Sequence, residues 1–475
     1  MSRNIHSRLF SFIVYLLIYS TLAVKVNTEE ETKDLIMVFI LCRHGDRSPV
    51  HTFPTDPFRK LWKMGYGQLT AYGAKQHHEL GQMIRKRYST LIPEVYHKDE
   101  VLFRSSGTER TLMSANNFIR GLYQLEKEST NHLPPVFSRL VNEDHLLKMS
   151  SKCPKFKRLF NNLMNSSAVF QKAYSLQDFF SYLERMTGYT FPKDRSSPEN
   201  FYPAWRLCDP ITIWVEQGLP SIPKWVTNDV YQKCASLLDF KHYIRFSEPH
   251  LTRLRGGPLA GHLVDLFRER INRELKTKHQ NNHPDENHHS SEGLHRRFVA
   301  YFAHDSTLAA LMSHLGVYNG LKPPLASCLI IELHRPSSST IEDFHLNFYY
   351  FNETKLPLNN TVKLISLWPP YCGGAFSTAN SSCPFEKFES SIYGTFATDI
   401  SRECYEDADQ MSTVTTTATT RLTKPRVMGM FESYCYYPQL LTLVLFQTAV
   451  VCYLIVRFLR IPMMYIVNSL RYLRL

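Results

Sequence analysis

Residues 35–49, LIMVFILCRHGDRSP, constrain the fold of this chain more than any other stretch. Residues 35–42 form an unbroken apolar run rich in branched side chains, the pattern of a strand buried on both faces of a sheet. Behind it come Arg43, His44, Gly45, Asp46, Arg47, Ser48 and Pro49. A hydrophobic core has no use for two arginines and a histidine at that place. A guanidinium is always charged and presents a planar fork of donors matched to phosphate or carboxylate. Arg43 and Arg47 are therefore expected to clamp a dianion, with His44 poised at it. Gly45 permits a turn that a side chain would obstruct, and Asp46 is expected to hold one arginine or to cap the next element.

Two later stretches repeat the arrangement. Residues 101–103 read as a short strand ending in Arg104, with a helix entered from Glu109 through Ala115. Residues 297–303 read as a further buried strand ending in His304 and Asp305, followed by a helix over 308–315. In open α/β sheets such strand-to-helix turns converge at the carboxyl ends of the strands, where anions bind. The expected fold is thus α/β, a central, mainly parallel sheet flanked by helices. Three strand ends would bring Arg43, His44, Arg47, Arg104, His304 and Asp305 together. A histidine beside a carboxylate suits acid/base work and phosphate contact. No metal-ligand set and no Ser or Cys elbow accompanies them, so no cofactor is expected.

Around these motifs, 51–67 reads as a loop over the site, and 68–87 as a helix capped by Thr70, with His77 and His78 as packing or surface histidines. Residues 125–250 are aromatic, irregular and proline-punctuated, the pattern of an inserted, mostly helical smaller subdomain. An amphipathic helix comes next, over 260–271. The polar run 279–293 carries four histidines at no metal-ligand spacing and reads as a solvated loop. Residues 325–333 and 344–351 are expected to be antiparallel strands joined by a turn at 336–340.

The chain ends carry addressing signals. Residues 1–26 have the basic start, apolar stretch and small residue (Ala23) of a secretory signal. Residues 410–430 form a Thr-rich stalk, 436–456 an uncharged apolar span with an aromatic belt, and 457–475 an arginine-bearing tail. By the positive-inside rule that tail is cytoplasmic and everything before it lumenal or extracellular, a single-pass type I arrangement. Sequons at Asn165, Asn352, Asn359 and Asn380 suit that side. Residues 472–475, YLRL, have the form of a tyrosine sorting signal, so lysosomal or endosomal membranes, the cell surface and a released soluble form are all open. The net charge of +12 fits anionic partners, yet no zinc-finger, helix-turn-helix or RNA-binding sheet motif is present, so no nucleic acid is expected. Ten cysteines behind a signal peptide imply disulfides. Cys42, in the buried strand, and Cys452, in the span, are expected to stay unpaired.

The chain resembles the histidine acid phosphatases, in their prostatic and lysosomal branch. The pattern RHGxRxP is present at 43–49 and the His-Asp pair at 304–305, with similar text at 51–57 (HTFPTDP), 65–70 (GYGQLT), 104–115 (RSSGTERTLMSA) and 317–328 (VYNGLKPPLASC). The likeness runs over about 33–405, and it implies the histidine phosphatase fold and a phosphoric monoester hydrolase of the acid phosphatase type. It further implies that His44 forms a phosphohistidine, that Arg43, Arg47, Arg104 and His304 bind the phosphoryl group, and that Asp305 protonates the leaving alkoxide. Because that carboxyl must be protonated, activity at acid pH is expected. The implied bridges are Cys153–Cys404, Cys208–Cys328 and Cys372–Cys383, with Cys234 and Cys435 unassigned. Substrates would be small phosphomonoesters or phosphoproteins, with homodimerisation open. Between about 124 and 153 the chain is shorter than the family pattern, which bears on the sheet edge, dimerisation and cleft shape. The competing readings are an inositol-polyphosphate phosphatase of the same superfamily and an inactive ectodomain that binds anions or a partner.

Overall fold

The computed structural model describes residues 34–125, 133–148, 153–282, 295–335, 344–353, 364–373 and 382–405. The signal segment, stalk, span and tail lie outside the described residues, as do the 336–340 turn, Asn359, Asn380, Cys435 and Cys452. Among the described residues no helix is long and apolar enough to cross a membrane.

Strand β1 (Leu35–Arg43) is the centre of the molecule. Its side chains alternate, Met37, Phe39 and Leu41 entering one core and Val38, Ile40 and Cys42 another, which is why its sequence is apolar at every position up to Arg43. The other strands are β2 (Val101–Ser106), β3 (Val136–Arg139), β4 (Phe298–Ala303), β5 (Cys328–His334), β6 (His345–Phe351), β7 (Ile365–Leu367) and β8 (Cys383–Pro384). They run in the order β3-β2-β4-β1-β5-β6-β7, with β8 paired to β6. Pairing is parallel from β3 to β1, the part from which the site residues emerge, and antiparallel beyond it. The segment between 124 and 153, expected to be shorter than the family pattern, supplies an edge strand, β3.

Helices α1 (Ala71–Arg87) and α2 (Glu109–Leu122) cover one face of the sheet through Leu80, Ile84, Ala115, Phe118 and Leu122. Thr70 caps α1, its Oγ1 accepting from the Gly73 amide at 3.0 Å, while Arg85, Lys86 and Arg87 suit the negative end of the helix dipole. The insert is helical: α3 (Pro154–Met164), α4 (Ser167–Tyr174), α5 (Gln177–Thr187), α6 (Phe201–Glu216), α7 (Asn228–Phe246) and α8 (Pro249–Arg255). It has its own core, in which Phe180, Phe201, Trp205 and Trp214 meet Leu237 and Leu238. Opposite α1 and α2, helices α9 (Gly257–Asn282) and α10 (Asp305–His314) pack Leu263, Phe267, Leu308 and Leu311 on the sheet, beside α11 (Phe385–Ile392). A short α12 (Ile400–Tyr405) ends the described chain. Helix α9 outruns its expected end at 271 and takes in the first residues of the polar run, 279–282, because that run holds no proline before Pro284 and continues a formed helix.

Two bridges join Cys153 to Cys404 and Cys372 to Cys383. The other pairings differ from those implied by the resemblance: Cys208 bonds Cys234, not Cys328, and Cys328 bonds Cys42, contrary to the expectation that Cys42 stays free. The reason is register. Cys42 and Cys328 face one another across the antiparallel β1–β5 pair, and the next residue's amide, Arg43 N, donates to Ser327 O. This makes them a pair without mutual backbone bonds, the position where opposing side chains come closest, and their Cα atoms are 4.2 Å apart. Cys208 and Cys234 meet because α6 packs on α7 within the insert. Asn165 is exposed at the end of α3, and Asn352 is half-buried just past β6.

Candidate active site

The carboxyl end of β1 lies between β4 and β5, and its backbone holds His44 without slack. The His44 amide donates to Ala303 O at 3.0 Å, and its carbonyl accepts from Ala326 N at 3.1 Å. The turn after it needs glycine for close approach, since a Cβ on Gly45 would sit 2.4 Å from the Gly73 carbonyl oxygen at the start of α1. His44 is 2% exposed. Its Nδ1 is 2.8 Å from the Gly45 carbonyl oxygen, which can only accept, so the ring proton resides on Nδ1 and Nε2 keeps its lone pair. Burial, and then the charges of Arg110, Arg43 and Arg47, push its pKa well below the usual imidazole value. His44 is thus a neutral ring with a bare nitrogen.

That ring opens into a cavity of about 200 Å³ lined by Arg47, Arg110, His304, Asp305 and a further set of cations. Arg43 ends β1 fully buried, its Nη2 3.0 Å from Asp305 Oδ2 and its Nη1 donating to Pro323 O. Arg47 is gripped by Asp209 from α6, with Nη2 to Oδ1 at 2.8 Å and Nη1 to Oδ2 at 3.1 Å. Burial works to raise the Asp209 carboxyl, but Arg47 overcomes it and holds the group far below the carboxylate range. Asp46 grips no arginine. It accepts from Thr70 Oγ1 and Gln217 Nε2, tying the loop to the cap of α1 and to the insert. Each of Arg43, Arg47 and Arg110 keeps a buried Nε without a protein partner, as expected of a cage built for an anion.

His304 leaves the end of β4. Arg110 Nη2 donates to its Nδ1 at 3.2 Å, so the His304 proton sits on Nε2 and faces Ser106 Oγ at 3.0 Å. The rings of His44 and His304 stand edge to face, centroids 5.7 Å apart. Burial, with Lys148 and Arg110 adding to it, pushes the His304 pKa well below the usual value. Asp305 opens α10 and shares the cavity. Burial would raise its carboxyl, yet Arg43, His242 and Lys322 together hold it well below the usual range. Asp305 therefore sits among cations that favour its carboxylate form, groups that also suit a phosphoryl group.

Arg104 is not in this cavity. Strand β2 continues to Ser106, so Arg104 leaves mid-strand on the same side as Leu102, the face covered by α9, and not at the strand mouth. There its Nη2 pairs with the buried Asp144 carboxylate at 2.8 Å and its guanidinium lies over the Tyr301 ring. The third arginine of the cage is Arg110, from the first turn of α2. A signal for it exists in the sequence. A cation in a helix's first turn opposes the helix dipole and needs a reason to be there. Asp209, Lys148, Lys241, His242, Arg245 and Lys322 also line the cavity, and nothing in their local sequence marks them. His77 is a buried packing histidine, donating Nε2–H to Arg43 O at 3.0 Å. Among the described residues no cluster of His, Cys, Asp or Glu is arranged to hold a metal.

The chain matches the model of the histidine phosphatase superfamily (branch 2) over residues 34–350. It is 33% identical over 386 residues to lysosomal acid phosphatase of Xenopus laevis, covering 79% of each chain. Against prostatic acid phosphatase of Bos taurus it is 31% identical, over 78% of this chain and 88% of that one. Among solved structures, the phytase of Citrobacter braakii superposes with a TM-score of 0.57 at 17% identity, over 78% of this chain and 99% of the phytase. The phytase of Hafnia alvei does so with 0.56 at 15%, over 77% and 98%. At such identities the structural likeness speaks to the fold alone.

Proposed function

We infer that this chain, which belongs to branch 2 of the histidine phosphatase superfamily, is an acid phosphatase that passes the phosphoryl group of a monoester through His44. The observation that carries the reading is the bare Nε2 of His44, kept free by the Nδ1–H bond to Gly45 O and set in one cavity with Arg47, Arg110, His304 and Asp305. In the first half-reaction Nε2 attacks phosphorus, the ester P–O bond breaks, and the leaving oxygen takes a proton from Asp305. In the second, water attacks phosphorus, the P–N bond breaks, and the water proton returns to Asp305. Arg43, Arg47 and Arg110 stabilise the phosphoryl oxygens, where charge is greatest in each transition state. A bound dianion also offsets the cations that hold Asp305 ionised, so substrate raises the affinity of that carboxyl for the proton it must give.

The test is labelling with a radiolabelled phosphomonoester in acid, followed by detection of an alkali-stable, acid-labile phosphohistidine. The wild type labels and His44→Ala does not; full labelling of the variant would overturn the assignment.

A second reading has an observation in its favour. Lys148, Lys241 and Lys322 line the cavity beyond the arginines, and none has a carboxylate ion-paired to it among the described residues. Such a rim suits a substrate with several phosphates, an inositol polyphosphate being one. Turnover of phytate against an aryl phosphate separates the two. The sequence supports an enzyme made with a secretory signal and held by the 436–456 span on the lumenal or extracellular side. The lysosomal and prostatic relatives fit a lysosomal or secreted location.

A further inference from the structure

Asp305 presents a difficulty that the phosphatase reading leaves open. The proton donor to the leaving group is held as a carboxylate by the cage, with Oδ2 on Arg43 at 3.0 Å and Oδ1 accepting from the Ser306 amide at 2.8 Å. It must acquire a proton during turnover, and both its oxygens are already engaged. One further group reaches it. His242, on α7 of the helical insert, places Nε2 3.5 Å from Asp305 Oδ1.

We propose that His242 is a proton relay for Asp305, supplying the proton when the ester bond breaks and taking it back when water attacks. The proposal rests on the phosphatase reading and adds to it a residue from a different subdomain. His242 is 6% exposed and lines the same cavity as His44. Its Nδ1 is 2.8 Å from Leu238 O, one turn earlier on α7. A carbonyl only accepts, so Nδ1 keeps its proton throughout, and Nε2, the atom aimed at Asp305, is the one that gains and loses one. The roles of both ring nitrogens are thereby set by the backbone. A gap of 3.5 Å is long for a hydrogen bond, and catalytic contacts of this kind commonly tighten as the transition state is reached.

The proton count balances. As the His44 Nε2–P bond forms and the ester P–O bond breaks, Asp305 gives its proton to the leaving oxygen and takes one from His242 Nε2, which leaves a neutral ring. As water attacks and the P–N bond breaks, the water proton passes to Asp305 and back to His242. The charged groups that share the cavity with the ring include Lys241 and Arg245 on its own helix, with Asp209, Asp305 and Lys322 from other segments.

The experiment compares leaving groups. His242→Gln retains a donor for the carboxylate but cannot pass a proton. With an alkyl phosphate such as glycerol 2-phosphate, whose alkoxide must be protonated to leave, kcat/KM is expected to fall at least about tenfold. With p-nitrophenyl phosphate, whose leaving phenolate needs no proton, it is expected to stay within about threefold of wild type. Asp305→Asn should show the same bias, and the double variant should add nothing to Asp305→Asn, because both residues serve one proton path. Equal loss on both substrates, or no loss on either, would overturn the relay. Phosphohistidine labelling of His242→Gln by p-nitrophenyl phosphate keeps the two readings apart: labelling without leaving-group bias removes the relay and leaves the nucleophile standing. If the Gln variant melts far below wild type, His242→Asn is measured in the same way.

Discussion

Arg110 Nη2 donates to His304 Nδ1 across 3.2 Å, joining the first turn of α2 to the end of β4. This contact sets the tautomer of one histidine and contributes, with burial, to depressing the other, since Arg110 is the largest charge acting on His44. The cage is therefore a coupled unit in which a residue two strands away adds to the burial that lowers the His44 pKa.

On the proposed mechanism, Arg110→Ala removes a phosphoryl donor and the partner of His304 together. The expected loss in kcat/KM is about 10²–10³, the range for deleting one preorganised donor at a transition-state oxygen. Steady-state kinetics on an aryl phosphate checks it, and a variant within twofold of wild type would take Arg110 out of the cage.

Arg104→Ala should behave in the opposite way. It strands Asp144, whose carboxylate is buried and also accepts from the Leu146 and Leu147 amides. Breaking a buried pair on one side costs about 3–5 kcal/mol, so the melting temperature falls while KM for those molecules still folded is unchanged. A rise in KM with unaltered melting would return Arg104 to the phosphate site.

Stability should decline in acid for reasons separate from catalysis. Burial lowers His77 from 6.5 to about 4, and burial together with Arg104, Arg296 and Arg139 lowers His262 to about 4. Below pH 6.5 the unfolded chain binds protons at these positions and the folded protein does not, so stability is full above that value and lost as pH falls toward 4. Each unit of displacement corresponds to about 1.4 kcal/mol. Thermal melts from pH 7 to 4 should show a smaller acid shift for His77→Gln than for wild type; parallel curves would rule this linkage out.

Peptide mapping without reduction should recover a fragment pair linking Cys42 to Cys328 and another linking Cys208 to Cys234. Recovery of a Cys208–Cys328 link would contradict the strand register as well as the pairing. Opening Cys153–Cys404, which closes a loop of 251 residues, is expected to cost about 2–5 kcal/mol in denaturant melts.

Much of the site is legible in the chain because its parts are contiguous with the strands that carry them. Arg43, His44 and Arg47 lie at or just past the end of β1, and His304 and Asp305 come directly after β4, so an apolar run ending in ionisable residues is enough to find them. Strands β1, β2, β4, β5 and β6, the helical insert and the Thr70 cap are equally local, being matters of period, propensity and capping, whereas β3, β7 and β8 are too short to carry such a pattern. Arg104 misleads because the apolar run stops at Phe103, three residues before the strand does, and the side of the sheet on which a residue emerges depends on that count.

The remaining decisions belong to packing. Which arginine after β2 enters the cage, which carboxylate grips Arg47, which imidazole faces Asp305, and that Cys42 meets Cys328 all depend on how α6 and α7 seat against the sheet and how β5 registers on β1. Sequence alone determined the longer central strands, the principal helices and which of them end in chemistry, because those properties arise between neighbours in the chain. Tertiary structure decided the partners of each charge and each thiol, because burial and register are set by contacts between segments far apart in the chain, and a buried charge stays only where such a contact meets it.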